Sequence, residues 1–266
     1  MTQGSCVRCG MGLATRGQRE VVVRKWAARL SGNTSYARMY RLVDRLSLCA
    51  GCLEGMPVIG EQICEQCGRS WESLGKESIL KIGGERCRDC VSVGESALGG
   101  NRGLLRYDEW GKDLLGLYKY RGDERLAEFF GQLLTLAMYR YFSHGQFGYL
   151  VAVPLHAKRL QERGFNQMEK MAERVSRATG LPAQHALVRM KETPKLSQQT
   201  GREVRILSMK NAFIWRGEVL GKRGKPSYLL LLDDIYTTGS TLRACARAIQ
   251  EAETVKTHIW SLTIFR

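Results

Sequence analysis

The sequence contains no apolar run longer than a β-strand, which falls far short of the roughly 20 residues a bilayer-spanning helix needs. Its start, MTQGSCVRCG, lacks the apolar core of a signal peptide. These two absences predict a cytoplasmic protein with no membrane insertion. Histidine is also scarce. The four present, His144, His156, His185 and His258, stand in neither metal-ligand nor triad spacing, so each reads as an ordinary side chain. Acidic residues are in deficit, 26 against 41 Lys and Arg, and the formal net charge is +15. The cations crowd into residues 16–45 and 158–225. Such a field attracts polyphosphates, pyrophosphate-bearing sugars or the backbone of single-stranded nucleic acid; a solvated basic surface is the alternative.

Cysteine, by contrast, is plentiful and ordered. Eight of the nine form CxxC pairs: Cys6/Cys9, Cys49/Cys52, Cys64/Cys67 and Cys87/Cys90. In a cytosolic chain such pairs are metal knuckles before they are disulfides, because two intervening residues make a turn that aims both thiolates at one ion. Two knuckles complete a tetrahedral four-cysteine zinc site, so four predict two zinc ions, both structural since neither set leaves an open position for water. Eight thiolates and two dications would lower the net charge to about +11. The spacing between Cys67 and Cys87 suits a zinc ribbon, which leaves Cys6/Cys9 with Cys49/Cys52; pairing of Cys49/Cys52 with Cys64/Cys67 is the physical alternative.

The most informative stretch is LLLLDDIYTTGST at 229–241. Its leucines read as a parallel strand covered on both faces. Asp233 and Asp234 follow at the carboxyl end, where open α/β sheets bind ligands; vicinal carboxylates can accept hydrogen bonds from two sugar hydroxyls or help hold hydrated Mg²⁺. Ile235 and Tyr236 lead into Thr237, Thr238, Gly239, Ser240 and Thr241, which supply successive N–H groups and hydroxyls. Gly239 lets the main chain approach an anion, and a helix starting near Ser240 adds its positive end. That helix would bury Leu242, Cys245, Ala246 and Ile249, making Cys245 a small core residue. The arrangement is a nest for a monophosphate. No Lys follows the glycine, which excludes a Walker A loop.

The string resembles the phosphoribosyl-pyrophosphate (PRPP) motif of type I phosphoribosyltransferases. With the four CxxC pairs, LYKYRGD at 117–123, VPLHAKRLQERGFNQ at 153–167 and TPKLSQQTGREVRILSMKNAF at 193–213, the whole chain resembles the ComF family, or ComFC-like proteins, of bacterial competence. Tyr236 departs from it, standing where many members have an aliphatic residue, and the basic stretch between Cys9 and Cys49 is long. The resemblance implies a parallel doubly wound α/β sheet of type I phosphoribosyltransferase type behind a Cys-rich zinc domain. The expected division is 1–100, a double-zinc-ribbon-like unit, and 101–266. It further implies that Lys158, Arg159 and Arg163, with Asn166 and Gln167, face pyrophosphate or DNA, although Asn166 also suits a helix cap. Thr193, Gln198, Gln199, Arg202, Arg205 and Asn211 would belong to a hood closing over the donor. The implied partners are PRPP, with Mg²⁺, single-stranded DNA and the competence DNA-translocation helicase. Transfer of phosphoribose to an amine or nucleobase, with Asp233 and Asp234 as catalytic residues, is the alternative role.

Elsewhere, residues 92–103 (SVGESALGGNRG) read as a linker, and 21–30 and 36–48 as short basic helices on an extended loop, in a region organised by metal more than by a core. Leu126, Phe129, Phe130, Leu133 and Ala137 keep helical core spacing, as do Met168, Met171, Ala172 and Val175. Tyr118, Tyr120 and Phe165 are candidates for stacking on bases.

Overall fold

The computed structural model describes the chain apart from residues 1–3, 14–15, 75–78, 82–83, 95, 122–123, 158–159, 162–165, 191–210, 218–226 and 255, and apart from the side chains of 16, 119–121 and 124. Helices α1 (Arg16–Leu30), α2 (Tyr36–Asp44) and α3 (Ala50–Glu54) come first, then β1 (Ile79–Lys81), β2 (Glu85–Cys87) and the short α4 (Arg88–Val91). There follow β3 (Leu98–Leu105), α5 (Glu109–Arg121), α6 (Glu124–Tyr141), β4 (Tyr149–Ala152), α7 (Gln167–Thr179), β5 (Ala183–Gln184), β6 (Leu187–Arg189) and β7 (Phe213–Trp215). The sequence closes with β8 (Ser227–Ile235), α8 (Ser240–Ala252) and β9 (Thr257–Phe265).

Five strands form one parallel sheet in the order β3-β9-β8-β4-β5. The leucine run of β8 occupies its centre because a strand covered on both sides must be apolar at every position. Leu230 and Leu232 face a core built from Leu133 of α6 and Met171 and Val175 of α7. Leu229 and Leu231 face a second core with Leu242, Cys245 and Ile249 of α8. Helices thus cover both faces, and the expected doubly wound α/β sheet is present.

The region before β3 departs from expectation. Val22, Val23, Trp26, Ala27 and Leu30 form a buried stripe on α1 that joins the α6-side core, and the Trp26 indole donates to the Leu53 carbonyl at 2.8 Å. This segment therefore packs into the apolar core on that face of the sheet. Its basic residues are partly structural: Arg19 donates to the carbonyls of Asp44, Leu46 and Leu48. Residues 98–103 are not linker but edge strand β3, so residue 100 falls inside a strand. The glycines there record close approach. A side chain at Gly100 would come within 2.7 Å of the Trp260 ring, and one at Gly103 within 2.5 Å of the Arg266 side chain.

Candidate functional site: the β8–α8 junction and two four-cysteine groups

Parallel pairing of β4 with β8 brings their carboxyl ends together, with Val153 donating to the Leu232 carbonyl at 3.0 Å. The segment after β4 therefore leaves the sheet beside Asp233. Asp233 and Asp234 are half-buried at the end of β8, and the Asp233 carboxylate accepts the Asp234 N–H at 2.9 Å. Residues 236–239 then turn sharply into α8. Gly239 makes that turn with φ +73°, in the left-handed region, and a side chain there would collide with the Tyr236 hydroxyl.

Two arginines determine which way the loop faces. Arg243 donates to the Thr238 carbonyl at 2.8 Å and to the Tyr236 hydroxyl at 3.3 Å. Arg266, just beyond β9, donates to the carbonyls of Tyr236 and Thr237, each at 3.2 Å, with its guanidinium 4.7 Å from the Tyr236 ring centre. Three successive carbonyls are thus held by guanidinium groups. In a trans peptide the N–H points opposite its carbonyl, and no peptide here is cis, so the N–H groups of Thr237, Thr238 and Gly239 are directed away from the arginines. With the amino end of α8 they make a run of three backbone donors at the end of the central strand. Tyr236 adds no charge, because burial pushes its phenol up to about 12. On the same side, burial likewise pushes the Cys245 thiol well up, in keeping with a core role.

The eight knuckle cysteines gather into two groups, Cys6/Cys9/Cys49/Cys52 and Cys64/Cys67/Cys87/Cys90, each with its sulfurs within 4.8 Å of one another. This is the ribbon-type pairing; the Cys49/Cys52 with Cys64/Cys67 alternative is excluded. Cys9 and Cys49 sulfurs lie 3.7 Å apart, and those of Cys67 and Cys87 3.8 Å. A tetrahedron with metal–sulfur bonds of about 2.3 Å has edges near 3.8 Å, so both donor sets fit a four-coordinate ion such as zinc. Within each group the thiols split: Cys6, Cys64 and Cys67 are drawn down toward thiolate, whereas Cys9 and Cys52 in the first and Cys87 and Cys90 in the second are pushed up. At Cys6 burial works against the thiolate, but backbone N–H groups of Cys49, Cys9 and Arg8 bring the thiol down to about 7. Hydrogen bonds from Cys64, Cys87 and Cys90, and then the Arg266 charge, hold Cys67 far below the usual thiol range. The two groups sit on opposite faces of the sheet: Cys6 and Cys52 join the α6-side core, and the second set joins the α8-side core.

The Cys64/Cys67 knuckle of the second centre is locked to the sheet. The buried Asn101 donates to the Cys67 carbonyl at 3.3 Å and accepts from Ser261 at 2.9 Å, and its backbone N–H donates to the Gln66 carbonyl at 2.8 Å. Arg266 also donates to the Cys67 carbonyl at 2.8 Å and to the Cys67 sulfur at 2.9 Å.

Asp233 to Thr241 are contiguous at the β8–α8 junction. Asn166 and Gln167 are buried at the start of α7, where the Asn166 side chain accepts the Met168 N–H at 3.1 Å and donates to Glu169 at 2.9 Å, the expected cap. Lys158, Arg159, Arg163, Thr193, Gln198, Gln199, Arg202 and Arg205 lie outside the described residues, as do Phe165 and the Tyr120 side chain. Asn211, at φ 54°, stands at the base of the β6–β7 hairpin, where Met190 donates to the Ala212 carbonyl at 2.8 Å. This hairpin packs on α8 through Phe213 and Trp215, so both ends of 191–210 are held on the side of the sheet that carries the loop. Tyr118 is corrected: it is buried against Phe130, with ring centres 5.3 Å apart, and cannot stack on a base.

Sequence reasoning missed Arg243 and Arg266. A cation in the first turn of a helix opposes the dipole unless it serves a carbonyl or anion there, so Arg243 carried a readable signal. Arg266, a single arginine after a strand, carried none.

The sheet and the loop at the end of its central strand are consistent with a type I phosphoribosyltransferase fold, here carrying two metal-knuckle centres. No family model matches the chain. It is 30% identical to Competence protein ComFC of Streptococcus pneumoniae (strain ATCC BAA-255 / R6) over 210 residues, covering 79% of this chain and 84% of that protein. It is 27% identical to Competence protein ComFC of Bacillus subtilis (strain 168) over 232 residues, covering 84% and 86%. Competence protein F of Haemophilus influenzae (strain ATCC 51907 / DSM 11121 / KW20 / Rd) matches at 26% over 116 residues, 42% and 48% of the two chains. The chain belongs to the ComF family.

Proposed function

We propose that the β8–α8 junction binds a 5-phosphoribosyl group, PRPP being the fullest such ligand, and that the protein binds single-stranded DNA in support of DNA uptake during competence. The observation that carries the sugar-phosphate half is the carbonyl-side clamp by Arg243 and Arg266, which leaves three consecutive amides for a phosphate while Asp233 and Asp234 stand one step back for ribose hydroxyls. Mg²⁺, when bound with PRPP, would supply charge neutralisation at the pyrophosphate, with Asp233 and Asp234 as its candidate carboxylates. The names of the ComFC relatives support the competence role, and the excess of Lys and Arg supports the DNA half, with the basic segments 158–163 and 191–210 as candidate contacts and the competence translocation helicase as candidate partner. Zinc is the ion assigned to both four-cysteine centres.

Phosphoribosyl transfer is a second reading, favoured by the same donor array. Displacement of pyrophosphate at the anomeric carbon by an amine or nucleobase needs few acid–base groups, and the basic loop would stabilise the departing charge.

Calorimetric titration of the wild type and of Asp233→Asn/Asp234→Asn with PRPP plus Mg²⁺, and separately with single-stranded DNA, tests the proposal. The double variant should lose at least about 100-fold in PRPP affinity, as expected when charge-assisted hydrogen bonds are removed, and keep its DNA affinity. A wild type that binds neither PRPP nor ribose 5-phosphate, or a folded double variant that binds PRPP unchanged, would sink the site reading.

A further inference from the structure

We infer that Arg266 is a positioning residue through which the second four-cysteine centre holds the anion loop in its binding shape. The guanidinium bridges two structures that share no sequence neighbourhood. On one side, Nε donates to the Cys67 carbonyl at 2.8 Å and Nη2 to the Cys67 sulfur at 2.9 Å. On the other, Nη1 donates to the carbonyls of Tyr236 and Thr237 at 3.2 Å. Each edge of the fork is occupied, and its face lies on the Tyr236 ring. Such a planar, five-donor group can fix the relative position of two backbones, which a single ammonium cannot.

The knuckle end of this bridge is rigid. Asn101, Ser261 and Thr263, all fully buried, tie Cys67 and Gln66 to β3 and β9. Gly68, at φ +69°, lies so close to the Asn101 carbonyl that a side chain would sit at 2.8 Å. The loop end is held differently. Its 237–239 stretch is neither strand nor helix, and its carbonyls at Thr237 and Thr238 accept from Arg266 and Arg243. A filled metal centre fixes Cys67, Cys67 fixes Arg266, and Arg266 turns the peptide planes so that the amides of Thr237 and Thr238 face outward. The second centre thereby becomes part of the binding site without touching ligand, as outer-sphere groups do at other metal sites. The first centre, on the far face of the sheet, has no such connection through Arg266 among the described residues.

The ligand arm of the test rests on the phosphoribosyl reading; the exchange arm does not. Amide hydrogen exchange is measured on the metal-loaded full chain as wild type, Arg266→Gln, Arg266→Lys, Cys87→Ser in the second centre and Cys9→Ser in the first, with metal content by elemental analysis and PRPP affinity in parallel. Exchange at the bonded amides that flank the loop, Tyr236 donating to the Phe265 carbonyl and Arg243 to the Gly239 carbonyl, should quicken about tenfold or more in Arg266→Gln and Cys87→Ser, less in Arg266→Lys, and not in Cys9→Ser, while amides in the middle of α6 keep their protection as a control on the fold. PRPP affinity should fall about tenfold in Arg266→Gln and Cys87→Ser. Unchanged exchange at the Tyr236 and Arg243 amides in Arg266→Gln, or equal loosening by Cys9→Ser, overturns the coupling. Loosening of α6 together with the loop in Arg266→Gln passes the decision to Arg266→Lys, where unchanged loop exchange also overturns it. If no variant nor the wild type binds PRPP, the phosphoribosyl reading fails and the exchange data still decide the role of Arg266.

Discussion

At the scale of single residues, the β8–α8 loop depends on the conformation of Gly239. Its φ of +73° is open to glycine and strained for alanine, and a β-carbon would also strike the Tyr236 hydroxyl. Gly239→Ala is therefore expected to lose about 1–3 kcal/mol of stability in urea titration. Adding Tyr236→Phe should recover part of that loss by removing the nearest colliding atom. No recovery in the double variant would place the cost in backbone strain together with the ring carbon, which still collides with the added methyl. The glycine was legible in TTGST because a positive φ next to a helix start has one favoured residue. The arginines that orient the loop were not, since Arg266 meets Cys67 and Tyr236 only after β9 has paired with β3 and β8. Asn166 was legible as a cap because that bond is local.

At the scale of elements, continuous or periodic apolar patterns were readable wherever packing followed local spacing. The leucine run of β8, the Leu242, Cys245, Ala246 and Ile249 stripe of α8, and the Phe129, Phe130 and Leu133 stripe of α6 are all buried as their spacing implies. Strand β3 was missed because LGGNRGLL reads as flexible until Trp260 and the Cys64/Cys67 knuckle are laid against it. Glycine there signals contact, and the distinction can be tested. Gly100→Ala meets the Trp260 ring at 2.7 Å and the Gln66 carbonyl at 3.0 Å, so it should cost about 1–3 kcal/mol. Gly116→Ala, in the interior of α5 with nothing within 4 Å of the new methyl, should gain about 0.5–1 kcal/mol. Thermal melts of the two variants separate the cases, and a stabilised Gly100→Ala would mean that β3 tolerates a looser fit against Trp260. The stripe on α1 was overlooked for another reason: Arg24, Lys25 and Arg29 interleave with Val22, Val23, Trp26, Ala27 and Leu30, which hides a regular spacing inside a basic composition.

At the scale of the whole molecule, the two four-cysteine centres are chemically alike but unequally placed. Cys9 of the first is exposed, whereas all four cysteines of the second are buried. A chelator must reach the ion or wait for a local opening, and the frequency of opening falls as burial and hydrogen bonding rise. With two ions bound, transfer to a chromogenic chelator should therefore proceed in two phases of equal amplitude, the fast one from the first centre. Cys9→Ser should abolish the fast phase and Cys87→Ser the slow one. The faces of the sheet then predict different consequences. Loss of the first ion should loosen the packing of α1–α3 on α6, and loss of the second should release Cys67 and, through Arg266, the amides at 237–239. Recording the chelator signal and loop exchange on one time axis tests this order. If the loop loosens with the fast phase, the exposed centre controls it, and the physical path from metal to ligand site runs through the sheet rather than through the arginine.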